Sequence, residues 1–187
     1  MVKSTKELTM FNLSTKQTIL IAVVFSLVLW ATRGQHVASL LSLPDATWAI
    51  AFILGFLLSP LLFAIVMIQA FVIDYLAMGN HLLNISYAAL IPAYFALWFS
   101  GKWFRSQYEK HGFKLAQFAL SFVGGVAVCE LLSSGSFYFQ KSTATMSRFV
   151  ELFGQYFFGN LFFALCYIAV AALSYHLLAG SSNKKLA

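Results

Sequence analysis

Six apolar segments cover most of this chain, and together they leave it little choice but to fold in lipid. They run over 17–32, 46–58, 60–78, 85–100, 114–132 and 149–178. A helix that crosses the hydrocarbon needs about 20 mostly apolar residues, so a chain of this length has room for about seven spans at most. The sequence is 60% hydrophobic and only 10% charged, against about 25% charged in a soluble domain. Too few charged side chains exist to cover a water-facing globule. A soluble globule, a disordered chain and a coiled coil are excluded. The expected fold is all-α: a polytopic membrane protein built as a six-transmembrane-helix bundle, one integral domain over 1–187.

Two segments depart from the standard length. The second is short, and Asp45 after Pro44 is its expected N-cap. Ser59-Pro60 ends it and starts the third, because proline suits the first turn of a helix and cannot continue one. The pair is expected to fold back as a hairpin; the alternative is one long kinked helix. The sixth is too long for a simple span, so it tilts or begins outside the hydrocarbon.

The charges are sorted. With six spans, one side carries Lys3, Lys6, Lys16, Lys102, Arg105, Lys110, Lys114, Lys184 and Lys185, and the other only Arg33, Lys141 and Arg148. Basic residues collect on the cytoplasmic side. Both termini are therefore expected in the cytoplasm, with the chain multi-pass and its first span uncleaved. An odd number of spans would separate the N-terminal lysines from Lys184 and Lys185. The net charge of +6 is thus a membrane-edge signature, and no nucleic-acid partner is expected. Cys129 and Cys166 form no CxxC pair and read as small buried hydrophobes.

The outer layer holds the unusual polar residues: Arg33, His36 and Asp45, then Asp74, His81 and Asn84, then Glu130, and finally Arg148 and Glu151. Four of the six acids lie there. Ionisable groups at membrane depth usually face a partner or an aqueous cavity, although solvated helix ends explain any one of them equally simply. The stretch 133–139 adds hydroxyls and aromatics suited to a flat, amide-bearing ligand, or to an interfacial aromatic belt. The candidate ligand-binding set is Arg33, His36, Asp45, Asp74, His81, Asn84, Tyr87, Glu130, Ser134, Phe137 and Tyr138. His111 and His176 fall on the inner side. His36 and His81 lack metal-ligand spacing, so no protein-built metal site is expected, but a single axial imidazole to a macrocycle-held metal remains open. Gly124-Gly125, Gly154 and Gly159 leave room for close helix contact, and Ala22 with Ser26 forms a small-residue pair for packing or for a partner helix.

Three stretches carry a family resemblance. They are Arg33…His36 running to Leu43-Pro44-Asp45-Ala46-Thr47-Trp48-Ala49, then Ile91-Pro92-Ala93-Tyr94-Phe95-Ala96-Leu97-Trp98 with Gly101-Lys102-Trp103, and Ser133-Ser134-Gly135-Ser136-Phe137-Tyr138. Together they resemble the BtuM-type cobalamin transporters, solitary S-components related to energy-coupling factor transporters. The resemblance implies six helices, cytoplasmic termini and a pocket that binds a corrinoid, cobalamin or a relative, as transported ligand, with no built-in cofactor. It also implies a possible ATPase coupling module as partner. Many members carry a cobalt-ligating cysteine shortly before the Pro-Ala-Tyr segment. This chain has none there; Asn84 and His81 stand in that neighbourhood, and a bound corrinoid takes His81 or His36 as axial ligand, or no protein ligand. The resemblance also implies a bacterial inner membrane as the location.

The leading expectation is therefore a non-enzymatic corrinoid binding and uptake component with its pocket at the outer face. The chain has no GxxxxGK[ST] loop and cannot itself hydrolyse ATP through one. One alternative is an intramembrane, sortase-like enzyme using Cys129, Arg148 and a histidine, which needs a base within hydrogen-bond reach of the thiol. The other is a structural or assembly subunit whose polar residues only cap helices.

Overall fold

A computed structural model describes residues 15–33, 43–57, 59–79 and 84–183, with side chains to 175. The helices are α1 (Thr15–Arg33), α2 (Thr47–Phe56), α3 (Pro60–Met78), α4 (Ile85–Ala88), α5 (Leu90–His111), α6 (Leu115–Tyr138) and α7 (Met146–Asn183). No strand occurs among the described residues. The protein is all-helical, and α1, α3, α6 and residues 146–175 of α7 are each long and apolar enough to cross a membrane. The ten residues of α2 rise only about 15 Å, half of a hydrocarbon core. The second half of α5 carries Lys102, Arg105, Glu109 and Lys110.

The outside of the bundle is as apolar as its inside. Ile19, Leu27, Ile68, Leu76, Ile91 and Phe158 are all exposed, which suits a lipid solvent. Two clusters form the interior. Phe52, Leu97, Phe104, Phe122, Val126 and Cys129 join α2, α5 and α6, with the Phe52 and Phe122 rings edge to face at 5.2 Å. Leu29, Ile50, Leu54, Leu62, Val66 and Ile73 join α1, α2 and α3.

Small residues set the closest approach, between α2 and α5. A Cβ on Gly55 would lie 1.9 Å from the Trp98 carbonyl oxygen, and one on Gly101 2.0 Å from that of Phe52. The two glycines are reciprocal: each gives the other helix's backbone a place to sit. On α6, Gly125 packs against Ser100 of α5, where a Cβ would meet Ser100 Oγ at 2.5 Å. The expectation of close contact fails at Gly124, Gly154 and Gly159, where an added Cβ would meet nothing within 4 Å. Ala22 and Ser26 are used inside the bundle. The Ser26 hydroxyl bonds the Ala22 carbonyl at 2.7 Å and the Gln69 side chain of α3 at 3.0 Å.

The 46–78 stretch is a hairpin. Asp45 before α2 and Asp74 near the end of α3 both bond Arg33, whereas one continuous helix would hold them about 43 Å apart. Three segments are longer than the apolar pattern indicates. Helix α5 runs on through 101–111, between the fourth and fifth apolar segments, because Gly101, Phe104 and Arg105 are buried against α2. Arg105 is 6% exposed, reaches the last carbonyl of α2 at Phe56 (3.4 Å) and pairs with Glu109 at 2.6 Å. It thus supplies positive charge and a donor where α2 leaves carbonyls unsatisfied. Helix α6 continues through 133–138, read above as the start of an outer loop. There Ser133 and Ser136 donate back to the Cys129 and Ser133 carbonyls at 2.7 Å each, so these hydroxyls are satisfied within the helix. Helix α7 starts three residues before the apolar segment does.

Candidate functional site

The polar residues converge where α1 and α3 end and α2 begins. Arg33, in the last turn of α1, has a side chain only 9% exposed. Its Nε and Nη2 donate to the two Asp74 oxygens at 2.9 and 2.6 Å. Its Nη1 reaches Asp45 Oδ2 at 3.0 Å, Thr47 Oγ1 at 2.9 Å and the Tyr94 hydroxyl at 3.1 Å. The Tyr87 hydroxyl donates to Asp74 Oδ2 at 2.7 Å. One planar guanidinium thus ties α1, α2, α3 and α5 together, which a point-charge ammonium could not do with the same geometry. The network holds one cation and two carboxylates. Asp74 is 15% exposed and Asp45 40%, so the surplus negative charge has its more accessible carboxylate at Asp45.

Asp45, expected as the N-cap of α2, stands one residue outside it: the N-cap is Ala46, which makes no side-chain capping bond. Asp45 Oδ1 instead accepts the Thr47 backbone N–H at 2.9 Å, an Asx turn leading into the helix.

A second polar group lies on α6 and α7. Glu130 is fully buried. Ser134 donates to its Oε1, and Asn160 Nδ2 donates to its Oε2 at 2.8 Å. Between the two networks opens a cleft of about 120 Å³, lined by Pro44, Asp45, Trp48, Asn160 and Phe163. It presents two aromatic faces and two polar groups. Tyr167 of α7 donates to the Pro44 carbonyl at 2.7 Å and closes its side.

A larger groove, about 770 Å³, lies between α3 and α5, with Phe63, Met67, Phe71, Ile91 and Phe95 among its walls and Tyr87 and Tyr94 at its polar end. Its walls are apolar and partly lipid-facing, so it offers little to orient a polar ligand.

The structure brings Arg33, Asp45, Asp74 and Tyr87 of the expected set into one network, and Glu130 with Ser134 into the other. Asn84 caps α4, accepting the Tyr87 N–H at 2.8 Å, and lies at the edge of the groove. Phe137 is exposed at the end of α6. The Tyr138 hydroxyl bonds the Thr145 backbone, accepting its N–H at 3.1 Å, and so holds the α6–α7 connection instead of facing the cleft. Arg148 and Glu151 form an exposed pair on the first turn of α7, apart from both networks. His36 and His81 lie outside the described residues. Thr47, Tyr94, Trp48 and Asn160 are the members that residue-by-residue reading did not select. Thr47, Trp48 and Tyr94 stand inside the quoted motifs, whereas Asn160 sits in an apolar run with no local signal except its polarity.

Cys129 is completely buried in the core beside Val126 and Phe122, and Arg148 is exposed at the start of α7. A thiol nucleophile needs an approach for substrate and a base at hand, and this position offers neither among the described residues. Cys166, read above as a buried hydrophobe, is instead exposed on α7. A maleimide is expected to label both cysteines after denaturation and to leave Cys129 unlabelled in the folded protein, read by mass spectrometry. Labelling of Cys129 in the folded protein would contradict its burial. Among the described residues no group of three or more His, Cys, Asp or Glu could hold a metal ion.

No protein-family model matches the chain, and no match is found among curated proteins.

Proposed function

We propose that this chain is a membrane-embedded binding and uptake component whose cargo is a corrinoid, taken up at the Arg33–Asp45–Asn160 end of the bundle. The observation that carries the reading is the cleft between α2 and α7. Aromatic faces from Trp48 and Phe163 sit beside polar groups from Asp45 and Asn160, backed on both sides by buried hydrogen-bond networks that keep those groups in place. Stacking surface next to a few fixed polar groups suits a flat ligand with an amide-bearing rim. At about 120 Å³ the cleft takes an edge of such a ligand and not the whole macrocycle.

In this reading α1, α3, α5, α6 and α7 cross the inner membrane, the short α2 with its flanking residues makes the sixth segment, and both termini are cytoplasmic, supported by nine Lys/Arg against three on the two sides. The cleft end then faces outward. His81 or His36 serves as axial ligand to the cobalt of the cargo. Reorientation of the bundle would be driven by a separate ATPase module.

The test is direct. Purified protein incubated with cyanocobalamin, then washed by gel filtration, is expected to retain corrinoid absorption bands. Asp45→Ala combined with Trp48→Ala should weaken retention at least about tenfold, through lost stacking and hydrogen bonding. Protein that elutes without corrinoid bands would sink the reading.

A further inference from the structure

We propose that the cleft recognises a hydrogen-bond donor, a primary carboxamide or an ammonium, and that Glu130 sets this preference by fixing which way the Asn160 amide faces. The identity of the whole ligand rests on the corrinoid reading above; the orientation of Asn160 does not.

Asn160 stands between Glu130 and the cleft. An asparagine amide has one donating and one accepting end, and coordinates alone distinguish them poorly; the partners decide. Glu130 receives donors at both oxygens, from Ser134 at Oε1 and Asn160 at Oε2. The Asn160 NH2 is the end that meets Glu130, donating to Oε2, while Ser134 occupies Oε1. That leaves Oδ1 as the end available to the cleft. The other polar group lining the cleft is the Asp45 carboxylate, also an acceptor, in a network with one more negative than positive charge. Two acceptors and a surplus negative charge favour a ligand group that donates and disfavour a carboxylate. Trp48 and Phe163 fit either donor class, stacking on a carboxamide or facing an ammonium. Glu130 never touches the ligand in this scheme; it is a positioning residue, acting through Asn160.

Glu130→Gln is the informative variant. It nearly preserves shape but carries an NH2 that can donate to Asn160 Oδ1, turning the Asn160 NH2 towards the cleft. Two readouts follow. The first is the side-chain amide of Asn160 in ¹⁵N-labelled protein, assigned by its loss in Asn160→Ala. It should show one strongly downfield proton in the native chain, from the bond to a carboxylate, and lose it in Glu130→Gln. The second is selectivity between cyanocobalamin and its isolated monocarboxylic acids, in which one propionamide is a propionate. The native protein should bind at least one of these acids about tenfold more weakly than cyanocobalamin, because a carboxylate leaves the cleft acceptors unpaired. Glu130→Gln should narrow or reverse that ratio, while Gly124→Ala, on the same helix with open space around it, leaves it unchanged.

An Asn160 signal that ignores Glu130→Gln overturns the proposal. So does equal binding of cyanocobalamin and every monoacid, which leaves the corrinoid reading intact. If cyanocobalamin does not bind at all, the corrinoid reading fails instead. The donor preference is then read with millimolar acetamide against acetate on the same Asn160 resonance, where a shift with acetate and none with acetamide overturns it.

Discussion

Gly101→Ala is expected to destabilise the folded bundle by about 3 kcal/mol or more, at the top of the usual range for overpacking. The reason is the identity of the neighbour. An added methyl would lie 2.0 Å from the Phe52 carbonyl oxygen and 3.0 Å from the Phe56 backbone nitrogen. A side chain can rotate away from such a contact, but a backbone carbonyl can yield only if α2 moves as a unit. The move would spread, because α2 packs on α1, α3 and α5 and carries Thr47 and Trp48 at its start. Gly55→Ala meets the Trp98 carbonyl in the same way, and the double variant should not accumulate as folded protein. Gly124→Ala is the internal control. It lies on the same face-to-face bundle but meets nothing within 4 Å, so alanine's better helix propensity should make it neutral or stabilising by up to about 1 kcal/mol. Thermal unfolding in detergent, followed by tryptophan fluorescence and gel filtration, separates the two. A Gly101→Ala protein as stable as the Gly124→Ala protein would mean that α2 and α5 are not in backbone contact.

Arg33→Met should cost about 3–5 kcal/mol, the loss usually seen when one partner of a buried ion pair is removed. Methionine is close to arginine in length, so the penalty comes from what stays behind: Asp74, 15% exposed and stripped of its bidentate partner, with the Tyr87 hydroxyl as the remaining donor among the described residues. Asp45, 40% exposed, can recover water and contributes less. Two further variants separate charge from packing. Arg33→Lys should lie between native and Arg33→Met, since an ammonium keeps the charge but cannot engage both Asp74 oxygens in the guanidinium geometry. Arg33→Met with Asp74→Asn should regain part of the loss by removing the uncompensated carboxylate. If the double variant is no better than Arg33→Met, the damage lies in packing among α1, α2 and α3, not in buried charge.

On the corrinoid reading proposed above, cargo retention is a second readout for the same variants. Gly124→Ala should leave retention unchanged, whereas Gly101→Ala, by displacing α2 and with it Trp48, should weaken it. Arg33 variants release Asp45 and Thr47 from the guanidinium, so weaker retention should accompany their lower stability.

The helices were legible in the sequence because apolar length is a local property. The 60–78 segment coincides with α3, and the break at Ser59-Pro60 is where the backbone turns. The apolar criterion fell short where helix continuation depends on neighbours. Residues 101–111 look like a charged loop until α2 supplies a backbone for Gly101 and a carbonyl for Arg105 to meet. Residues 133–138 look like a serine-rich loop until the hydroxyls turn back onto their own helix. The glycines were equivalent as letters, yet Gly125 is a contact and Gly154 and Gly159 are not.

The site divides along the same line. The sequence by itself determined that a chain with so little charge is built of helices apolar enough for lipid, because charge scarcity and span length are counted along the chain. It could not say which charges pair. Arg33 chooses Asp74, 41 residues away, and Asp45, 12 residues away. Glu130 chooses Asn160, 30 residues on and inside an apolar run. Those partnerships depend on which helix faces meet, and that is decided by the close crossing of α2 and α5 and the packing of α6 and α7 around it. Burial then turns each pairing from an option into a requirement, because a charge or amide removed from water must find its partner inside the protein.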